Sequence, residues 1–470
     1  MLDALRWTLR GRSPKLREDD LPIVLTFIAV AVLACVVPPQ ADTFFHLRTG
    51  QSIWQSGAIP TTELFSHTFQ GHEWLNHEWL SQLLFYGLHA LGGPFLLALV
   101  SGACVFIAVM VSWQLTRGAS EIRLMLLFSI FIVTAPAWAV RPQALSLALL
   151  MLAMTLVIRE KLQWLPILMV VWANAHGVVL LGVVIACVNA LEALIWSRRN
   201  FRRALVVAVL CVAAPTVTPL GWQYWTRVAQ TVSEARVLGF QEYRSAFADA
   251  SGFPFLLLLA VLVSVVIMYA RRVAEWDRSA RLLVLTSLVI GAAAIVSIRN
   301  APWFALVAAP AISRLVQVSS VRKTRPLRRP GYVVLAIAVT SAFAVVAFLW
   351  RDGGARIGWR PISQPALSAV RNCTGPIYNE LALGGTLIWF VPEKRVFVDG
   401  RVEAYPQQFL LRVRDADLSG QYQELFEKYE IRCAVTGTDS ILARALQADP
   451  AITLQFHDDR WSVFLTSQIR

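Results

Sequence analysis

Eleven apolar stretches joined by short loops leave this chain few ways to fold. They lie near residues 21–38, 94–116, 121–140, 143–158, 163–174, 177–196, 204–220, 251–270, 280–298, 301–317 and 331–350. A bilayer core of about 30 Å takes an apolar helix of roughly 20 residues, and most of these runs approach that length. Hydrophobic residues make up 56% of the chain and charged residues 16%, far from the globular norm. Backbone groups in hydrocarbon must bond within their own segment, and the runs lack strand-type alternation. The expected fold class is therefore a polytopic α-helical membrane protein of about eleven spans.

Lys and Arg set the orientation. Arg6, Arg10, Arg12, Lys15 and Arg17 precede the first run. Later clusters are Arg117/Arg123, Arg159/Lys161, Arg198/Arg199/Arg202/Arg203, Arg271/Arg272/Arg278/Arg281 and Arg322/Lys323/Arg325/Arg328/Arg329. The intervening loops carry only scattered Arg residues. This alternation predicts a cytoplasmic N-terminal tail (1–20), a membrane domain (21–350) and an extracytoplasmic domain (351–470). Basic loops facing anionic lipid account for most of the net charge of +13, so no nucleic-acid partner is implied. Acidic Glu18, Asp19 and Asp20 stand directly before the first run, which favours an uncleaved anchor over a signal peptide. Cys35, Cys104, Cys187 and Cys211 fall in spans as small apolar fillers, while Cys373 and Cys433 fall in the external domain, where an oxidising compartment permits a disulfide.

The first external loop, 39–92, holds the densest polar chemistry. Apolar positions at 44, 47, 53 and 54 predict an amphipathic helix on the membrane surface, carrying Asp42, His46 and Arg48. A second helical piece is expected over Asn76–His89. The repeated tetrapeptides at His72–Leu75 and His77–Leu80 invite comparison with zinc proteases. Their histidines are five positions apart, about 140° around a helix, so one regular helix cannot aim both at one ion. Asp42, His77 and Glu78 are the catalytic candidates, since carboxylates at helix ends can share one external cavity. Glu73 and His72 read as a solvated loop tip, and His67 and His89 as structural.

Other candidates sit on the same expected face. Arg141, Arg244 and Arg299 stand at external span ends, where a planar guanidinium suits a phosphate. Snorkelling to a lipid headgroup is the competing explanation for each. Asn174 and His176 interrupt an apolar run at the outer surface and can bond sugar hydroxyls. The loop 221–250 holds interfacial aromatics followed by Glu242 and Arg244, which can line the Asp42 cavity. Beyond Trp350, short β-rich runs at 376–378, 395–398, 433–436, 452–456 and 461–465 alternate with helical patterns at 421–429 and 440–448. That predicts an α/β domain with a mainly parallel sheet and a terminal hairpin. Asp399 and Arg401 follow an expected strand, the usual place for ligand contacts in such a sheet.

An acidic residue just after the first span, with surface helices before the second, resembles the GT-C class of membrane glycosyltransferases. A closer resemblance is to a bacterial family of multi-spanning proteins with Asp-x-x-x-His-Leu-x-x-Gly and Asn-His-Glu-Trp-Leu segments, here Asp42–Gly50 and Asn76–Leu80. It extends to Arg141-Pro142-Gln143, Trp172–Gly177, Arg299-Asn300 and Val398–Arg401. The resemblance implies transfer of a sugar from a polyprenyl-phosphate donor to a glycan, lipid or protein acceptor at the outer face of the cytoplasmic membrane. It also implies that Asp42 acts as general base or helps hold a divalent cation such as Mg or Mn. Many GT-C enzymes place a second acidic residue beside the first. Thr43 stands there in this chain, so any metal needs a distant partner such as Glu78. Rival readings are a lipid-linked glycan flippase, a glycan polymerase or ligase, and a non-catalytic assembly factor. Ionisable groups deep within spans would mark a transporter, and the spans here hold almost none.

Overall fold

A break at Gly92 and Gly93 organises the N-terminal half of the structure. We describe a computed structural model of residues 16–316 and 325–466. Arg6, Arg10, Arg12, Lys15, Arg322 and Lys323 of the basic clusters lie outside the described residues. The first helices are α1 (Leu21–Cys35), α2 (Ala41–Ser56) and α3 (Trp79–Leu115). Helix α3 joins the expected Asn76–His89 piece to the second span across non-helical Gly92 and Gly93, with Pro94 following. Then come α4 (Ser120–Thr134), α5 (Pro142–Ile158), α6 (Leu165–Ala175), α7 (Leu180–Trp196), α8 (Arg198–Ala213) and α9 (Tyr224–Val237). The membrane region closes with α10 (Phe253–Tyr269), α11 (Arg278–Val296), α12 (Ala301–Val316) and α13 (Arg329–Trp350).

Six helical segments among the described residues are long and apolar enough to cross a membrane, or up to seven if the bent pair Arg198–Thr216 and Gly221–Val237 counts as one. The chain is a multi-pass membrane protein. Of the expected eleven spans, α1, α5 and α6 are shorter than a crossing needs, because a polar or proline-bearing turn closes each, and α12 is described only as far as Val316. Helix α12 shows the physical difference. Its residues from Ala301 to Leu315 are all buried, so its apolarity serves a protein interior rather than lipid.

Ion pairs gather the basic helix ends at one end of the bundle. Arg281 pairs with buried Glu192 at 2.8 Å, Arg278 with Glu160 at 3.5 Å, and Arg314 and Arg117 with Asp277 at 3.2 and 3.3 Å. Arg141, His176 and Arg299, which precede α5, α7 and α12, therefore lie at the opposite end. The alternation of basic loops corresponds to these two ends.

The C-terminal domain contains α14 (Gln364–Arg371), β1 (Ile377–Asn379), α15 (Gly384–Phe390), α16 (Gln407–Ser419), α17 (Gln423–Lys428), β2 (Cys433–Gly437), α18 (Ile441–Ala448), β3 (Ile452–His457) and β4 (Trp461–Thr466). The sheet order is β1-β2-β4-β3. Only β1 and β2 are parallel; β2–β4 and the β3–β4 hairpin are antiparallel. The mainly parallel sheet expected from sequence is thus corrected. The expected strand at 395–398 does not join the sheet either. It pairs with the first external loop instead, where Val396 bridges Ser66 and Val396 N–H donates to the Phe65 carbonyl at 3.0 Å. Cys373 and Cys433 are joined in a disulfide.

The loop and the domain share their cores. Trp74 packs with Tyr378, Phe397 and Phe409, and Phe45 packs with Ile388 and Val396. Helix α2 is therefore sandwiched between α3 and the C-terminal domain, burying Phe44, Phe45, His46, Leu47 and Gly50. This departs from a helix lying on the membrane surface, whose polar face would stay wet. Gly50 permits the crossing: a Cβ there would sit 2.0 Å from the Gln82 carbonyl oxygen.

Candidate active site

Helix α2 starts where the chain leaves α1, and its first turn is pinned by Thr43. The Thr43 hydroxyl accepts the Gln40 N–H at 2.9 Å and donates to the Val140 carbonyl at 2.6 Å. Its neighbours Asp42 and Arg141 are thereby brought together, with Asp42 Oδ2 2.7 Å from Arg141 Nη2. Asp42 also lies in the first turn of a helix, where the dipole favours a negative charge. Arg141 reaches on to the Gln40 side-chain carbonyl at 3.2 Å and to Glu242 at 3.4 Å. Glu242 in turn holds Arg299 at 2.6 Å, and the Tyr243 hydroxyl accepts from the same guanidinium. Four remote segments thus supply one chain of alternating charge: Asp42, Arg141, Glu242, Arg299.

A second carboxylate faces the same end. Asn76 sets the turn before α3, its side-chain carbonyl accepting the Glu78 N–H at 3.3 Å. The start of α3 is tied to the end of α6. The Trp79 indole donates to Asn174 at 2.7 Å, and the Ser81 hydroxyl donates to the Ala175 carbonyl at 2.6 Å. Glu78 is thus set among three imidazoles, with His176 Nε2 at 3.7 Å, His46 Nε2 at 3.8 Å and His77 Nε2 at 3.9 Å. These separations exceed a direct hydrogen bond. The far nitrogen of His176, Nδ1, lies 2.8 Å from the Ser146 hydroxyl, which accepts the Trp172 indole N–H at 2.8 Å. Ser146 thus fixes the imidazole ring and turns its Nε2 edge towards Glu78.

Burial raises the Asp42 carboxyl above its ordinary range, and Arg141 only partly opposes this. Glu78 is raised for the same reason, opposed by His77, Arg299 and Arg141. The same burial, reinforced by neighbouring Arg141, holds His46 well below its ordinary value; for His176 the reinforcement comes first from Arg299. Both imidazoles are therefore neutral near pH 7, while the two carboxylates hold protons more tightly than usual.

The C-terminal domain closes this face. A Cβ on Gly400 would sit 2.7 Å from Asp42 Oδ1, so the Asp399-Gly400-Arg401 turn lies directly against the candidate base. Arg401 itself is fully buried. It bonds Asp399 through Nε at 2.7 Å, pairs with Glu63 at 2.7 Å, and lies 4.6 and 4.9 Å from the Trp74 and Phe65 rings. The Tyr405 hydroxyl donates to Asp399 at 2.6 Å. Burial alone would raise the Asp399 carboxyl, but Arg401 and these hydrogen bonds hold it below its ordinary value. Asp399 and Arg401 were expected to contact substrate; their polar atoms instead join the first loop to the C-terminal domain.

Three other expected contacts lie apart. The Asn174 amide spends both hydrogens on the Val170 and Val217 carbonyls, each at 2.9 Å. Arg48 points to a different side of α2 and donates to Gln51 at 2.6 Å. Arg244 is exposed, and its carbonyl accepts the Ile298 N–H. Glu63 and Ser146 had no sequence signal, being one Glu and one Ser in unremarkable surroundings. No group of three or more His, Cys, Asp or Glu side chains among the described residues is arranged to hold a metal ion. Asp42 is paired with Arg141 and shares no such group with Glu78, so the described residues do not form the divalent site that the resemblance implies.

No protein-family model and no curated protein matches this chain at a significant level. Solved structures do. An oligosaccharyltransferase from Archaeoglobus fulgidus, in complex with Zn and sulfate, superposes with a TM-score of 0.53 over 89% of this chain and 68% of that one, at 10% identity. ArnT from Cupriavidus metallidurans, in the apo state, gives 0.51 over 94% and 97%, at 15% identity. Both neighbours are GT-C glycosyltransferases. This chain has the GT-C fold. At such identities the likeness concerns architecture alone, and the chemistry of this protein rests on its own residues.

Proposed function

We propose that this protein transfers a sugar from a polyprenyl-phosphate-linked donor to a glycan, lipid or protein acceptor, at the outer face of the cytoplasmic membrane. The observation that carries this reading is the Asp42–Arg141 contact of 2.7 Å, extended through Glu242 to Arg299. A carboxylate and two guanidiniums on one polar surface, at the end of an apolar bundle, match what the reaction demands. The acceptor hydroxyl must lose a proton as its oxygen attacks the anomeric carbon, and Asp42 takes that proton. The bond between the anomeric carbon and the phosphate oxygen breaks, and the departing phosphate gains charge. Arg141 and Arg299 stabilise that charge, the phosphate competing with Glu242 for their forks. Glu78, His46, His77 and His176 supply donors and acceptors for sugar hydroxyls. The raised carboxyl of Asp42 suits a base, because its proton affinity lies closer to neutrality than that of a solvated carboxylate.

One neighbour informs this reading. The A. fulgidus enzyme has also been solved tethered to an acceptor peptide, at a TM-score of 0.51, which supports transfer to an acceptor. Its Zn is not carried over, because no side chains among the described residues form a cage for a metal ion. The orientation, with the site outside and the basic helix ends in the cytoplasm, rests on the Lys and Arg distribution.

The deciding experiment compares lipid-linked sugars and surface glycans in cells that lack the gene, carry it, or carry Asp42→Asn. Accumulation of a polyprenyl-phosphate sugar in the deletion and in the variant is expected, and its sugar names the donor. If neither lipid-linked sugars nor glycans change on deletion, the transferase reading is wrong.

A further inference from the structure

A cavity of about 300 Å³ opens on α2 away from Asp42, between that helix, Leu64 and Phe65, and the turn that follows α15. Arg48, Lys394 and Arg395 line it together with Ser52 and Gln55, and none of its lining residues is acidic. Arg48, Ser52 and Gln55 share one face of α2, about 200° around the helix from His46.

Several cations elsewhere in the molecule are held by acids. Arg141, Arg278, Arg281, Arg299, Arg314 and Arg401 each pair with a carboxylate. Around this cavity the cations bond only neutral oxygens. Arg48 donates to the Gln51 side-chain carbonyl, Lys394 to the Cys373 carbonyl and Arg395 to the Gln70 side-chain carbonyl. Three positive charges from two distant parts of the chain thus line one half-open cleft, and Glu393, the acid adjoining Lys394, is already bonded to Arg371 at 2.7 Å. Folding that brings like charges together is unfavourable unless an anion joins them.

We propose that this cavity binds a phosphate group, carried either by a lipid headgroup or by a soluble phosphorylated molecule. Two guanidinium forks and an ammonium suit a multiply charged tetrahedral oxyanion, and the Ser52 hydroxyl and Gln55 amide add neutral donors. The volume admits a phosphate with a glycerol or a single sugar ring attached. The site is separate from the Asp42 cavity and does not rest on the transferase reading.

The test uses the full chain purified in an uncharged maltoside detergent. Glycerol 3-phosphate is titrated calorimetrically in one arm; phosphatidylglycerol retained through purification is quantified in the other, against uncharged diacylglycerol. Each arm is repeated with Lys394→Gln/Arg395→Gln and, separately, with Ser52→Asp, which introduces a carboxylate without removing any existing ion contact. Saturable binding of either probe, weakened at least tenfold in both variants, is the expected result. Glycerol 3-phosphate binding identifies a soluble source and phosphatidylglycerol binding alone a lipid source. If neither probe binds, or if the folded variants bind as tightly as the unaltered protein, the proposal is overturned. Should the double variant fail to fold, Ser52→Asp decides the outcome alone. None of these readouts involves sugar transfer, so failure here leaves the Asp42 site to its own test.

Discussion

The Thr43 hydroxyl donates to the Val140 carbonyl at 2.6 Å, and this one bond sets Asp42 opposite Arg141. Thr43 occupies the position where the GT-C resemblance would place a second acidic residue. An acid there would need a cation, or a second donor, beside the Val140 carbonyl. Threonine instead uses the position to tie the first external loop to the start of α5.

Thr43→Val keeps the shape and removes the hydroxyl. The buried Val140 carbonyl and Gln40 N–H then lose a partner, at a cost of about 1–3 kcal/mol. Because a small misplacement of reacting groups is expensive, turnover is expected to fall by roughly tenfold to a hundredfold. Thr43→Ser retains the bond and should stay within a few-fold of the native rate. Steady-state transfer assays on both variants check this; equal losses would mean that the hydroxyl does not position Asp42.

Arg401 is fully buried between Asp399 and Glu63, and its removal leaves two carboxylates in a desolvated core. Arg401→Gln is expected to lower stability by about 3–5 kcal/mol, the usual cost of breaking one side of a buried ion network. Thermal unfolding in detergent measures it. A loss of activity with unaltered unfolding would instead restore a ligand-facing role to this residue.

How much of this was legible beforehand follows from what each residue type announces. Asp42, His77, Glu78, Arg141, His176 and Arg299 stood out because charged or imidazole groups at the ends of apolar runs are conspicuous, and the structure gathers all six at one end of the bundle. Glu63 and Ser146 stayed hidden, since their roles come from partners 26 and 30 residues away or in another domain. Arg48 was misleading for a geometric reason. It shares a helix with Asp42, but six positions of a 3.6-residue period put it about 240° round. Apolarity alone could not fix the span count either, because that of α12 is as high as a lipid-facing helix requires, yet its residues from Ala301 to Leu315 are all buried.

The acid limb of the pH profile carries information on the base. Burial raises both Asp42 and Glu78, so their protonated forms build up at higher pH than in a solvated carboxylate. The active form is deprotonated Asp42, and kcat/KM should therefore fall as pH drops through a value above about 4, the ordinary carboxylate range. His46 and His176, held well below their ordinary value, are neutral near pH 7 and above. Asp42→Asn is expected to lose about 10²–10⁴ in rate. An acid limb in the ordinary carboxylate range, or an active Asp42→Asn enzyme, would remove Asp42 from the role of base.

Asp417 gives the C-terminal domain a pH-dependent stability of its own. Burial in α16 pushes its carboxyl up to about 7, against the opposing hydrogen bonds from the Tyr378 hydroxyl at 2.7 Å and the Leu381 N–H at 3.1 Å. In the unfolded chain the same group loses its proton near pH 4. Between these values the folded state holds a proton that the unfolded state has released. The contribution is fully present below about pH 4, is lost as pH rises towards 7, and is constant above that. Its size is on the order of a few kcal/mol. Asp417→Asn removes the titration, so the variant's stability relative to the native protein should climb between pH 4.5 and 7 and then level off. Unfolding midpoints of the two proteins across that range give the answer, and parallel curves would mean that the Asp417 proton is released before neutrality.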